Sequence, residues 1–183
     1  MNTQIAAFVV VLAIVTPHRA GAQDAPPCAQ PILEQIRFLE GSWTVQARSR
    51  LSANPTDWES STGAATIESG MRRCAFIERY RGTRRGRVFE AIRVFTATAA
   101  GAGLRLSIAD SEHGPLFSYD GGPETDVVAF HTQVTTPNGQ VRLRITMSDI
   151  RQDSFVTESH RSTDEGRTWD LTGRSEYRRA RSG

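Results

Sequence analysis

Three glutamates fall where a carboxyl could do chemistry. Glu78, Glu90 and Glu158 each lie in a run of alternating apolar and polar residues, and so on an extended segment among apolar neighbours. Two carboxyls converging in a dry interior are candidates for general acid–base work, because burial raises a carboxyl pKa towards neutrality. The competing role is ion pairing with an arginine such as Arg93, Arg105 or Arg144, or plain exposure to water. The histidines beyond the first segment, His113, His131 and His160, share neither H-x-H nor H-x-x-x-H spacing. Zinc asks for three or four ligands, so no metal is expected. Asp110-Ser111-Glu112-His113-Gly114 holds acid, nucleophile and base types, but adjacent loop residues rarely face one another as a triad must. No catalytic residue is assigned. Gly101 and Gly103 follow one strand and open another, without the helix N-terminus of a phosphate cradle. Arg84-Arg85-Gly86-Arg87 and the Arg178 to Arg181 tail are basic but lack interleaved aromatics, which fits solvated segments better than nucleic-acid binding.

The first residues address compartment. Ile5 to Val15 is apolar throughout, too short for the ~20 residues a bilayer span needs. Ala20-Gly21-Ala22 follows, with small residues suited to a signal peptidase, so residues 1–22 read as a signal peptide and 23–183 as one domain. The absence of Lys or Arg before the apolar run keeps a short membrane-associated helix as the alternative. An exported chain, periplasmic or secreted, is expected, with no membrane anchor after cleavage. Its two cysteines, Cys28 and Cys74, then read as one disulfide. That bridge would close a loop of about 46 residues and contribute roughly 4 kcal/mol through the unfolded chain. All 22 basic residues are arginine, and the formal charge is +2. Such a balance gives no electrostatic reason to expect nucleic acid or an anionic membrane as partner.

The elements that must position these side chains are strands. Pro31 to Leu39 carries Ile32, Leu33, Ile36 and Leu39 at helical spacing, with proline at the first position and Gly41 just beyond, and predicts one short helix. Nine alternating segments follow: Ser42–Arg50, Trp58–Ser69, Arg73–Arg81, Arg87–Thr96, Gly103–Asp110, Thr125–Val134, Gln140–Ser148, Ser154–Arg161 and Thr168–Arg178. Gly121-Gly122-Pro123 and Pro137-Asn138-Gly139 are read among the connections. Strands so closely spaced, with no helices between them, exclude a parallel sheet. The expectation is an all-β fold: an antiparallel up-and-down closed barrel of about nine to ten strands, since closure removes exposed edges.

The sequence also resembles a known family. A short helix running into Gly41-Ser42-Trp43 is similar to the opening of lipocalins and their calycin relatives, and four motifs together resemble the secreted branch of the lipocalin-like domain of unknown function 1579. They are Cys28 ahead of Phe38-Leu39-Glu40-Gly41-Ser42-Trp43, the Cys74 to Tyr80 run, Glu158 and Ser162 ahead of Asp164-Glu165-Gly166-Arg167-Thr168-Trp169, and Glu176-Tyr177-Arg178-Arg179. The resemblance spans nearly all of the chain after the leader. It departs at Ala91 to Ala109, which holds no tryptophan, so no ligand preference carries over from there. It implies a lipocalin-like barrel in which an arginine, Arg178 or Arg179, packs over Trp43 to close one end, with Trp169 in a structural role.

Within such a barrel Glu78 and Glu158, both inside the matching motifs, are the expected interior polar residues. Phe76, Phe89 and Phe130 are expected to line the space around them. The leading functional expectation is a small apolar or amphipathic ligand held inside, with no cofactor. Three alternatives stand beside it: a filled barrel that acts as a protein-interaction module, a hydrolase or isomerase using interior carboxylates, and a haem barrel. The last rests on similarity to nitrobindin-type barrels, which also open with G-x-W and take haem through one histidine near the C-terminus; His160 is the histidine nearest that place.

Overall fold

A computed structural model describes residues 30–50, 54, 56–112, 114 and 116–181. Residues 1–29, which include the expected signal peptide and Cys28, lie outside the described residues, as does His113.

Ten antiparallel strands follow one short helical lead-in. The helix α1, Pro31–Glu34, is a single turn, and a 3-10 turn over Arg37–Leu39 takes its place where Ile36 leaves helical geometry (φ −110°). The predicted helix is thus two pieces, but its apolar spacing serves its purpose: Leu33, Ile36 and Leu39 are buried. The strands are β1 (Gly41–Arg50), β2 (Trp58–Gly70), β3 (Ala75–Arg84), β4 (Arg87–Ala97), β5 (Leu104–Asp110), β6 (Phe117–Pro123), β7 (Val128–Thr136), β8 (Gly139–Ser148), β9 (Ser154–Ser162) and β10 (Asp170–Arg179). Each pairs with its sequence neighbours, and β1 pairs with β10 through Trp43 opposite Arg179, which closes the barrel. The expected fold is the one observed.

One strand was not expected. The Gly121-Gly122-Pro123 run, read as a connection, is the end of β6. Gly121 is required there because a Cβ would come within 1.9 Å of the Ala129 carbonyl oxygen on β7. The glycine marks a close backbone approach inside a sheet, a role that looks like a turn in sequence.

The size of the inward side chains divides the interior into two halves. At the α1 end the inward residues are large and apolar: Trp43, Ile67, Phe76, Phe95, Leu106, Phe130, Met147 and Phe155 are all buried. Phe155 lies edge-on to Trp43 at 4.9 Å and stacks on Tyr177 at 4.3 Å. Contacts of this kind contribute about 0.5–1.5 kcal/mol each beyond burial. The Trp43 indole N–H donates to the Leu39 carbonyl at 2.8 Å, which ties the lead-in across this end. Arg179, not Arg178, covers the ring at 4.3 Å and donates to the carbonyls of Glu40, Phe38 and Gln152. Arg179 shares the inward face with Tyr177, whereas Arg178 lies on the outer face. The α1 end is closed and filled.

Candidate functional site

Towards the other end the inward residues become small and polar. Ala47 and Ser49 on β1, Ser61 on β2, Thr157 and Ser159 on β9, and Gly173 and Ser175 on β10 replace the large side chains of the closed half, and a cavity of about 150 Å3 remains. Phe89, Ala91, Ile108 and Ile145 give it apolar wall, and Tyr80, Arg93 and Tyr177 give it polar groups. Hollows of about 390 and 410 Å3 on the outer wall are larger, but they are shallow grooves among outward residues such as Thr44, Gln46, Ser60 and Thr62.

At the boundary between the halves is a buried polar cluster. Glu78 on β3 is 2% exposed. Arg93, its cross-strand partner on β4, places Nη1 3.3 Å from both Glu78 carboxylate oxygens. The Tyr177 hydroxyl donates to Glu78 Oε1 at 2.9 Å and accepts from Arg93 Nη1 at 2.6 Å. Burial raises the Tyr177 pKa well above its ordinary value, against the opposing pull of Arg93, so the phenol keeps its proton and donates. Burial also works against the Arg93 charge, but Glu78 and Tyr177 outweigh it and hold the guanidinium above its ordinary value. A quarter of the Arg93 side chain stays accessible although it sits deep in the barrel, because it lines the cavity. Its Nε is buried and has no hydrogen-bond partner among the described residues.

Tyr80 owes its position to two glycines. Gly63 and Gly82 face each other across β2 and β3, and a Cβ on either would come within 2.5 and 2.3 Å of the Tyr80 hydroxyl. Their bare backbone leaves room for the ring, which meets Phe89 edge-on at 5.9 Å. At the mouth Arg84 lies over Phe89 at 5.7 Å and donates to Glu112 at 2.7 Å.

The structure brings together only some of the residues singled out from sequence. Glu78 is interior and Phe89 lines the cavity. Phe76 and Phe130 are buried in the filled half instead, because their strands point them towards the α1 end. Glu158 is on the outer wall: Thr157 and Ser159 point inward on β9, so the residue between them points out, where it pairs with Arg174 at 2.7 Å. The two carboxylates therefore do not converge, and the acid–base reading loses its geometry. His160 shares that outer face, 3.8 Å from Glu158, so it cannot serve as an interior haem ligand. Trp169 lies under the Arg144 guanidinium at 4.5 Å, also outside. Among the described residues no group of three or more His, Cys, Asp or Glu side chains could hold a metal ion. Arg93 and Tyr177 were not picked out as site residues, although Arg93 falls in phase with Phe89, Ala91 and Phe95; an arginine on the apolar face of a strand was the available signal.

These features define a ten-stranded up-and-down barrel, filled at one end and hollow at the other. In three dimensions it is similar to the S-type phycobiliprotein lyase CPES from Guillardia theta, with a TM-score of 0.53 and 15% identity over 82% of this chain and 93% of that one. The structure of EF1p2_mFAP2b bound to DFHBI gives a TM-score of 0.45 at 11% identity over 81% of this chain and 99% of that one. At 15% identity the likeness to the lyase shows the fold alone. No family model and no curated protein matches the sequence.

Proposed function

We propose that this protein is an exported lipocalin-like barrel that holds a small, largely apolar molecule in its open half. The observation that carries this reading is the change of side-chain size along the barrel axis: bulky residues pack the α1 end solid, and small ones leave about 150 Å3 beyond Arg93. A barrel of this strand number is either just filled or has room for one small ligand. Here the division falls within one barrel, so a wholly filled interaction module fits less well. Export and a Cys28–Cys74 bridge belong to the same reading. They rest on the leader-like first residues and on the even count of cysteines, Cys28 and Cys74, expected beyond the leader. Kinship with the domain of unknown function 1579 rests on the four ordered motifs.

Native mass spectrometry of the protein, alone and after exposure to small aromatic and lipid probes, tests the binding role. A stoichiometric adduct that disappears in Ala91→Leu, which adds volume at the cavity wall, is the expected result. Failure to retain any mass, or an adduct indifferent to Ala91→Leu, contradicts it.

A further inference from the structure

We infer that the occupant of the open half is an uncharged ring with a hydroxyl on one edge, a phenol in the simplest case, seated with that hydroxyl over Gly173; the inference rests on the cavity being a ligand site. Size comes first. A cavity of about 150 Å3 admits roughly one benzene-sized ring with a small substituent.

The two sides of the cavity then set polarity. Phe89 on β4, Ile108 on β5 and Ile145 on β8 make one side apolar. The adjacent strands β9, β10 and β1 offer serines instead: Ser159, Ser175 and Ser49. All three point into the barrel and are only partly buried, so their remaining surface opens on the cavity and its mouth. Gly173 stands between Ser49 and Ser159 and is paired directly with each. Its missing side chain leaves a niche, because a Cβ there would lie 3.8 Å from Ser159 Oγ and meet nothing nearer than Ser159 Cβ at 3.6 Å. A serine hydroxyl both donates and accepts. The group that satisfies such a niche therefore does both, as a hydroxyl can and a carbonyl or ether cannot. Strand β5 is across the barrel from β10, so a ring anchored over Gly173 turns its bare edge to Ile108.

Charge narrows the class. Every charged side chain that reaches the cavity is already engaged. Arg84 pairs with Glu112 at 2.7 Å, Arg93 with Glu78 at 3.3 Å and Arg174 with Glu158 at 2.7 Å, and Asp110 accepts from the Glu112 backbone N–H at 2.9 Å. The Arg93 Nε–H, without a partner among the described residues, is enclosed and out of an occupant's reach. An ionic occupant would have to break one of these pairs or stay uncompensated in a poorly solvated space. A hydroxyl brings no charge.

The test is titration of the protein at pH 7, where phenol is uncharged, with toluene, phenol, benzoate and benzylamine. Phenol should bind about tenfold tighter than toluene, the effect of one or two neutral hydrogen bonds, and both ions should bind more weakly than phenol. Ser49→Ala, Ser159→Ala and Ser175→Ala made together should erase the advantage of phenol and leave toluene bound. Gly173→Ala, whose methyl group meets only ordinary contacts in the protein, fills the niche and should weaken phenol about tenfold with little change in melting temperature. In the unmodified protein the ring proton opposite the hydroxyl should give NOEs to the Ile108 methyl groups, a readout that stands even if a variant does not fold. Equal affinities for toluene and phenol, tightest binding of an ion, an advantage that survives the triple change, indifference to Gly173→Ala, or NOEs to Ile108 from the hydroxyl-bearing edge would overturn the inference and leave the cavity as a ligand site. Binding of none of the four would overturn both.

Discussion

Removing Arg93 should cost the protein far more than removing Glu78, although the two form one pair. In Arg93→Met the Glu78 carboxylate stays behind, 2% exposed, with the Tyr177 hydroxyl as its remaining donor. Stranding a buried charge in this way costs about 3–5 kcal/mol. In Glu78→Gln the charge left behind is on Arg93, a quarter of whose side chain is accessible at the cavity, and the new amide can still accept from Tyr177. That loss is of the order of one charge-assisted hydrogen bond, about 1.5–3 kcal/mol. The double variant leaves no stranded charge and should be more stable than Arg93→Met alone, so the coupling should exceed the Glu78→Gln loss of about 1.5–3 kcal/mol. Urea unfolding of all four proteins measures the cycle, with the slope of each transition confirming that two-state behaviour persists. Equal losses in the two single variants, or a double variant whose loss is their sum, would refute the argument that burial asymmetry controls this pair.

Three further outcomes follow from the geometry. Arg179→Gln removes the cation over Trp43 and the guanidinium bonds to three carbonyls. It should destabilise by about 1–3 kcal/mol and expose Trp43 fluorescence to quenchers, whereas Arg178→Gln should do neither. Gly82→Ala places a Cβ 2.3 Å from the Tyr80 hydroxyl and 2.8 Å from the Thr62 carbonyl oxygen. A loss of about 1–3 kcal/mol is expected in thermal unfolding, larger than for Gly122→Ala, whose methyl group would meet nothing nearer than the Leu104 nitrogen at 4.0 Å. Burial, aided by Arg144 and opposed by Glu158, holds the His160 imidazole below its ordinary value of 6.5. Protonation is then harder in the folded chain, so this contribution to stability is full above the unfolded pKa and is lost as pH falls through it. An NMR titration should place His160 below 6.5, and His160→Gln should flatten the decline in urea midpoint between about pH 7 and pH 5.

The barrel was legible because its strands alternate. Val141, Leu143, Ile145 and Met147 against Arg142, Arg144, Thr146 and Ser148 permit little else, and the observed β8 differs from its expected bounds by one residue at the N-terminal end. Alternation tells the two faces of a strand apart, but it does not say which end of the barrel a residue will reach. Phe76 and Phe89 both point inward, yet opposite ends of the barrel hold them. Glu158 was misplaced for a different reason. Family-like motifs drew attention to it, and its inward neighbours are Thr157 and Ser159, whose small polar side chains do not announce a core face. Gly121 looked like a turn because sequence carries no sign of how closely the next strand approaches. The cavity itself was beyond sequence reading: it is made of small residues, Ala47, Ser61, Ser159 and Gly173, whose significance lies in the space they do not fill.

The central claim is that the open half takes a small molecule and the closed half does not. Methyl NMR of the isoleucines tests it most directly, since Ile108 and Ile145 line the cavity while Ile36 and Ile67 are buried in the filled end. Titration with a benzene-sized aromatic probe should shift the Ile108 and Ile145 resonances to saturation and leave those of Ile36 and Ile67 in place. Shifts centred on Ile36 and Ile67, or no saturable shift at any of the four, would contradict the account.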